Sequence, residues 1–329
     1  MLIANIRRTL QEECLVTNGD RMIVGVSGGV DSMVLLHLLH RCVRTLKLTL
    51  TVAHVNYRKR GSASDADEAL VVAAAERLDC EVVVERPHVS LRGNFQDKAR
   101  DVRRDFFCRL ARRCGAASVA LAHHQDDQVE TILLHLVRGA GQKGLTGMAK
   151  RSLMDGITFI RPLLDLSRDE IMKVAQANRI AYREDASNED VRYRRNHIRH
   201  ELMPQLRKLN PRVARSVAQL GKTIAADEEL LARLAEVGLN EMTVQSTTSS
   251  VWFSREAYLE LPRPLRLRSL KMVFEQLAGG KRHLQGDHLQ RMDFLATQTG
   301  GEKKRYPLPS PWIFERSGGA LVIRQETHL

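Results

Sequence analysis

The chain has 329 residues, 43% of them hydrophobic, which is enough to build two cored domains and too apolar for a disordered protein. Lysine and arginine number 51 against 39 acids, and the formal net charge of +12 favours a polyanionic partner such as nucleic acid. The N-terminus lacks the pattern of a secretory signal, no apolar run is long enough to span a bilayer, and the five cysteines form no C-x-x-C pair, so a membrane, disulfide-built or metal-cluster protein is not indicated and a cytoplasmic location is expected.

Short β-branched runs alternate with helical periodicity over the first half of the chain. Strands are predicted at Met22–Ser27, Leu48–Val55, Glu81–Glu85 and Ser118–Ala122, with helices near 31–43, 64–79, 94–114 and 126–138. Such alternation requires crossover connections, hence an α/β fold with a mostly parallel, doubly wound sheet whose ligands bind beyond the carboxyl ends of its strands. Ser167 and Ser187 each read as the start of a further helix, and Pro211 opens a long one. The stretch 243–250, TVQSTTSS, reads as a linker into a small α+β module that closes with strands around Trp312–Glu315 and Ala320–Arg324. The resulting division is a catalytic domain over 1–212, a helical linker over 213–245 and a C-terminal domain over 246–329.

Two polar stretches follow predicted strands and so emerge on one sheet edge. The first, SGGVDS at 27–32, has neither the lysine of a Walker A loop nor the spacing of a dinucleotide fingerprint. Its small residues leave backbone N–H groups free to face a phosphate at a helix N-terminus, Ser27 and Ser32 can donate hydroxyls, and Asp31 suits a magnesium ion between carboxylate and phosphate. The second, HHQDDQVET at 123–131, gathers Asp126, Asp127 and Glu130 on one helix face beside His123 and His124. Those groups can accept a proton, hold a metal ion or bind an ammonium group, and Asp126 also suits helix capping. Downstream, RYRRNHIRH at 192–200 places Arg192, Arg195 and Arg199 in one stripe, with Tyr193 and Asn196 nearby, a composition that fits RNA phosphate and unpaired bases as well as a solvated helix face.

The S-G-G-x-D-S string resembles the pyrophosphate-binding loop of the ATP pyrophosphatases, enzymes that split ATP between its α and β phosphates. H-H-x-D-D-x-x-E-T resembles the string shared by two branches that modify tRNA cytidines. One branch, the thiolating enzymes, carries C-x-x-C pairs absent here; RPLLDLSRDEI (161–171) together with the E-D-x-S-N and R-N-x-I-R segments of 184–199 resembles the other, the tRNA(Ile)-lysidine synthetases. The likeness runs from about 21 to 210. It departs at Tyr57, where the family carries histidine, at the inserted Arg58 and Lys59 before the retained Arg60, and at Arg104 in place of tyrosine.

The resemblance implies a ligase that uses ATP and Mg2+ to join L-lysine to the wobble cytidine of a CAU-anticodon tRNA(Ile), with no membrane partner and with a homodimer left open. Ser27, Gly28, Gly29, Val30, Asp31, Ser32 and His54 are then expected at ATP, with Asp31 also at the metal. Asp31, Arg103, His123, Asp127 and Glu130 are expected in catalysis, and Arg192, Arg195, Asn196 and Arg199 at the tRNA. A cytidine thiolase and a small-molecule adenylating amidotransferase are the alternative readings.

Overall fold

The structure is a computed structural model that describes residues 2–59, 61–87, 95–183, 194–279, 284–300 and 302–326. The chain divides into two compact units, Met1–Thr223 and Ile224–Leu329.

In the first unit, α1 (Leu2–Arg8) precedes β1 (Arg21–Gly25), α2 (Val30–Leu46), β2 (Thr49–Val55), α3 (Ser62–Arg77), β3 (Glu81–Glu85), α4 (Phe95–Cys114), β4 (Ser118–Ala120) and α5 (Gln125–Val137). After the short α6 (Gln142–Leu145), β5 (Arg151–Met154) and β6 (Ile157–Ile160) form a hairpin, and α7 (Arg168–Ala177), α8 (Arg194–His197) and α9 (Met203–Leu209) follow. The sheet order is β3-β2-β1-β4-β6-β5, with β1, β2, β3, β4 and β6 parallel and only β5 antiparallel. The strands expected in this unit all form: β2 and β3 end where expected, and β1 and β4 each end two residues short.

This order fixes the place of the site. The chain leaves β1 toward β2 on one side, and β4 returns on the other, so the direction of winding reverses between β1 and β4. Helices on opposite faces diverge there and leave a crevice at the carboxyl ends of the two strands. Both polar stretches therefore start at the reversal point: 26–29 links β1 to α2, and 121–124 links β4 to α5. The sheet is held between two apolar layers. Leu35, Leu36 and Leu39 of α2 pack with Val24, Leu163 and Ile171 on one face, and Phe106, Phe107 and Leu110 of α4 pack with Ile23, Ala53 and Val119 on the other.

The boundary α10 (Val213–Met242) contains the division between the units. Beyond it lie β7 (Thr243–Ser246), β8 (Ser250–Ser254), α11 (Arg255–Glu260), α12 (Arg263–Leu277), α13 (Gly286–Thr297), β9 (Lys304–Pro307), β10 (Trp312–Ser317) and β11 (Ala320–Gln325). These strands form one antiparallel sheet, β7-β8-β11-β10-β9, with Phe253, Phe314 and Ile323 packed on Leu270, Phe274 and Met292. The linker expected over 243–250 is corrected here. Residues 243–246 are an edge strand paired with β8, and Thr247 closes the turn by accepting hydrogen bonds from the Ser249 and Ser250 amides. Serine and threonine at an edge strand resemble a linker in composition, because only one side of such a strand is paired. Of the helix expected from Ser187, residues 187–193 lie outside the described residues, and from 194 onward it runs as α8, a five-residue π-helical turn at Ile198–Leu202 and α9. No helix of the described residues is long and apolar enough to cross a membrane.

Gly25 ends β1 where the Phe107 ring closes over it. A Cβ there would stand 2.9 Å from the ring's Cζ and 3.2 Å from Leu121 Cδ2, inside a packed layer. Gly25→Ala is expected to lower stability by about 1–3 kcal/mol, read as a lower urea midpoint at unchanged slope. An unshifted midpoint would show that the layer relaxes freely.

Candidate functional site

The loop after β1 is shaped by its small residues. Gly28 has φ of 93°, in the left-handed region that favours glycine, and Gly29 in extended conformation caps α2. Ser32 ties the turn together: its Oγ donates to the Gly29 carbonyl at 2.9 Å and accepts from the Ser27 amide at 3.1 Å. His54 at the end of β2 is buried, with Nδ1 2.8 Å from the Val26 carbonyl, and burial pushes its imidazole down from the ordinary value. Its place is thus behind the loop, as a support, and not on the cleft wall.

The second stretch forms a capping box. His124 Nδ1 accepts from the Asp126 amide at 3.3 Å, and Asp127 Oδ2 accepts from the His124 amide at 3.0 Å. Since Nδ1 is the acceptor, the proton of a neutral ring sits on Nε2, which lies 3.7 Å from Asp31 Oδ2 and 3.5 Å from Asp127 Oδ2. The buried His124 therefore bridges the two polar stretches across the reversal point. The sequence reading singled out its neighbour His123 instead. The signal for His124 was present, because it occupies the position just before the acidic first turn, where a side-chain cap is needed.

Asp31 points its Oδ2 toward His124 and toward Arg168 Nη1 at 3.9 Å, while its buried Oδ1 has no hydrogen-bond partner among the described residues. Burial raises its carboxyl pKa against the pull of His124 and Arg168. An orphaned hard oxygen beside a phosphate-type loop at a helix N-terminus fits a divalent cation shared with phosphate.

Glu130 and Asp127 are one helical turn apart and are met by two arginines. Arg195 gives Nε to Glu130 Oε2 at 2.7 Å and Nη2 to Asp127 Oδ1 at 2.9 Å. Arg199 forks onto Glu130, with Nε to Oε1 at 2.5 Å and Nη2 to Oε2 at 3.1 Å, and reaches Asp127 Oδ1 at 3.4 Å. Burial alone would raise the Asp127 carboxyl, but His124 and Arg195 outweigh it and hold the group below its ordinary value. The Arg199 guanidinium is held more firmly protonated, because its bonds to Glu130 overcome the cost of burial. Arg195 and Arg199, two of the three arginines of the expected RNA stripe, thus face the carboxylates, and Asn196 between them in sequence is buried. Arg192 and Arg60 lie outside the described residues.

These groups surround a cleft of about 1010 Å³ within the first unit. Of the residues expected in the site, Ser27, Gly29, Val30, Asp31, Arg103, Glu130 and Arg199 line the cleft, whereas Gly28, Ser32, His54, His123, Asp127, Arg195 and Asn196 are not among its lining residues. Arg103 comes from α4 and has no carboxylate partner among the described residues, which leaves it free for an anion. The wall residues that were not foreseen include Arg183, whose amide donates to the Gly28 carbonyl at 3.0 Å, and Asp67, which accepts from Arg183 Nε at 2.8 Å. The departures from the family pattern fall off this wall. Tyr57 donates its hydroxyl to the Ala99 carbonyl at 2.7 Å and sits edge-on to Phe95, and Arg104 faces Asp101, Asp105 and Asp155. The thiols do not gather: Cys14 and Cys42 lie in one apolar layer of the sheet and Cys108 in the other.

The PP-loop domain family matches residues 2–206. The tRNA(Ile)-lysidine synthase of Geobacter sulfurreducens is 37% identical over 96% of this chain and 67% of its own length. That of Geobacillus kaustophilus is 36% identical over 85% of this chain and 61% of its length, and that of Clostridium acetobutylicum 31% identical over 98% and 70%. The chain thus spans roughly 60–70% of the length of these relatives. Among solved structures, the U34-tRNA thiolase NcsA of Methanococcus maripaludis with its [4Fe-4S] cluster superimposes with a TM-score of 0.58 over 68% of this chain and 76% of its own, at 19% identity, a likeness of fold alone. With the loop, the acidic helix start and these identities in agreement, the chain belongs to the PP-loop family and, within it, to the tRNA(Ile)-lysidine synthases, ATP-using ligases of tRNA modification.

Proposed function

We propose that this chain joins L-lysine to C2 of the wobble cytidine of a CAU-anticodon tRNA(Ile), in the cytoplasm, with AMP and pyrophosphate as the other products. The observation that carries the reading is the pairing of a phosphate-type loop with a carboxylate cluster across one cleft, bridged by His124. In the first step the cytosine C2 oxygen attacks the α-phosphorus of ATP and pyrophosphate leaves. In the second, the lysine side-chain amine attacks C2 and AMP leaves with the C2 oxygen, while the amine's proton passes to a base.

The residues divide the work by their chemistry. Backbone N–H groups of 27–30 and the N-terminus of α2 hold the pyrophosphate portion, and Arg103 takes charge developing on the α-phosphate. Asp31 is the residue that would hold a magnesium ion, which when bound would supply charge neutralisation to the pyrophosphate portion. Glu130 and Asp127 receive the lysine ammonium and accept its proton, because only the neutral amine is a nucleophile. His123, kept neutral by burial, orients the base or phosphate by hydrogen bonding. The basic α8–α9 segment receives RNA, and the C-terminal unit contributes further tRNA contacts.

The decisive test is AMP release from ATP by the purified protein with each amino acid in turn, with and without the CAU tRNA(Ile) transcript. AMP formation that requires both this RNA and lysine is expected; turnover without RNA, or with a sulfur donor or ammonia in place of lysine, would overturn the assignment. Arg103→Ala is expected to slow AMP formation by about 10²–10³-fold with an unchanged melting temperature, since the side chain is exposed, and an unchanged rate would remove it from the mechanism. Burial holds His123 down to about 4, below its ordinary 6.5, so the folded protein binds fewer protons than the unfolded chain between those values. The stability that neutral His123 contributes is therefore complete above 6.5 and is lost as the pH falls toward 4. Urea midpoints measured at pH 7 and pH 5 should fall less in His123→Asn than in the parent; an equal fall would assign the acid sensitivity to other groups.

A further inference from the structure

Seven arginines line the cleft, and four of them face its own acids: Arg168 toward Asp31, Arg183 on Asp67, Arg207 on Asp126 and Arg199 on Glu130. The remaining three, Arg103, Arg212 and Arg215, have no carboxylate partner among the described residues. The wall is therefore cationic where an anion enters and neutralised where the lysine ammonium has to be received. Glu130 and Asp127 carry two negative charges and already face two guanidiniums, Arg195 and Arg199. No negative charge is left over for a third cation.

The two arginines are not equivalent. Arg195 does not line the cleft, whereas Arg199, in the π-helical turn at Ile198–Leu202, lines it together with Arg212 and Arg215. Its fork spans both oxygens of Glu130, so it fills the hydrogen-bonding positions that an ammonium would use. A guanidinium exchanges a carboxylate for a phosphate at little loss, because both present paired oxygens to its fork. Arg195 remains on Glu130 and Asp127 when Arg199 leaves, so one buried charge pair persists and one unit of negative charge becomes available.

We propose that Arg199 occupies the lysine ammonium's place on Glu130 and Asp127 in the substrate-free protein, and that phosphate oxygens arriving in the cleft draw it away and open the lysine site. This rests on the function proposed above. Lysine binding is then coupled to phosphate binding, and by reciprocity lysine strengthens the hold on the phosphate-bearing substrate. The phosphate is that of ATP or of the RNA backbone.

The test is calorimetric titration of the full chain with lysine, alone and in the presence of an ATP analogue that cannot be cleaved between its α and β phosphates, a CAU anticodon stem-loop, or both. Lysine affinity is expected to rise about tenfold or more in at least one phosphate-bearing arm, and the arm that responds identifies the source. Arg199→Gln should bind lysine about tenfold more tightly than the parent with no phosphate present, and respond little to either addition. Arg199→Lys, a cation without the fork, should fall between the two. Equal lysine affinity in all arms of the parent overturns the proposal even if the glutamine variant fails to fold, and so does weaker lysine binding by a folded Arg199→Gln that still binds the ATP analogue. If the parent shows the coupling but mass spectrometry finds no lysine joined to RNA under full turnover conditions, the proposed function fails and not the charge exchange.

Discussion

A buried and a half-buried carboxylate at the start of one helix, Glu130 and Asp127, cannot both stay charged without cations against them, and much of the first unit serves that requirement. Glu130 is almost fully enclosed, and taking an isolated carboxylate out of water costs several kcal/mol even after the surroundings relax, so removal of one partner of such a pair typically costs about 3–5 kcal/mol. The chain meets the demand from three directions: the dipole and amides of α5, the Nε2 proton of His124, and two guanidiniums from α8 and the turn that follows it. The last of these bring a segment some 65 residues away in sequence onto α5. Ile198, Met203 and Leu206 then pack on Val129 and Leu133, so the ion pairs lie over an apolar contact that holds the same two elements together. Electrostatics and packing specify the same docking.

The position of that cluster is a consequence of sheet order. Had β4 followed β3 on the far edge, its polar stretch would have emerged beyond the crevice, out of reach of the loop after β1. The reversal between β1 and β4 places both at neighbouring strand ends, and the distance of 3.7 Å from His124 to Asp31 is the measure of that adjacency. His124 can span it only because its ring is fixed from the other side, where Nδ1 accepts from an amide of its own helix. One side chain thus serves as helix cap and as bridge, and both duties require the same tautomer.

Much of this was legible in the sequence, and the reasons differ by element. The parallel strands announced themselves because buried β-branched runs of five to seven residues between helical patterns have few other uses. The loop and the acidic helix start were legible because their residue types are unusual in that context. The hairpin β5–β6 was passed over, although Asp155-Gly156, both at positive φ, is a strong short-range hairpin signal. The misread edge strand β7 is the opposite case, since serine and threonine carry no hydrophobic alternation to reveal it. In the site, spacing showed that Arg195 and Arg199 share a face, but a stripe has no direction of its own. Which way it faces is decided by the docking of α8 on α5, a tertiary fact. The burial of His54 against the loop was not legible for a related reason: strand alternation shows which side of the sheet a residue takes, not whether a loop lies on top of it.

The inward-facing stripe also bears on how a basic protein keeps its charge useful. With a net charge of +12, the chain has cations to spare, yet it spends four of seven cleft arginines on its own acids. A cleft lined by bare guanidiniums would bind any polyanion through counterion release, with little regard to sequence. Pairing those four arginines internally lowers that indiscriminate affinity, because a phosphate that binds one of them must first displace a carboxylate. A substrate that then supplies a replacement cation to the vacated carboxylate restores the balance, whereas one that supplies none leaves buried negative charge uncompensated. Discrimination of this kind comes from the penalty on the wrong occupant and not from tighter contacts to the right one. It also explains why acids and arginines are interleaved along the cleft: the acids set the condition under which the arginines are released.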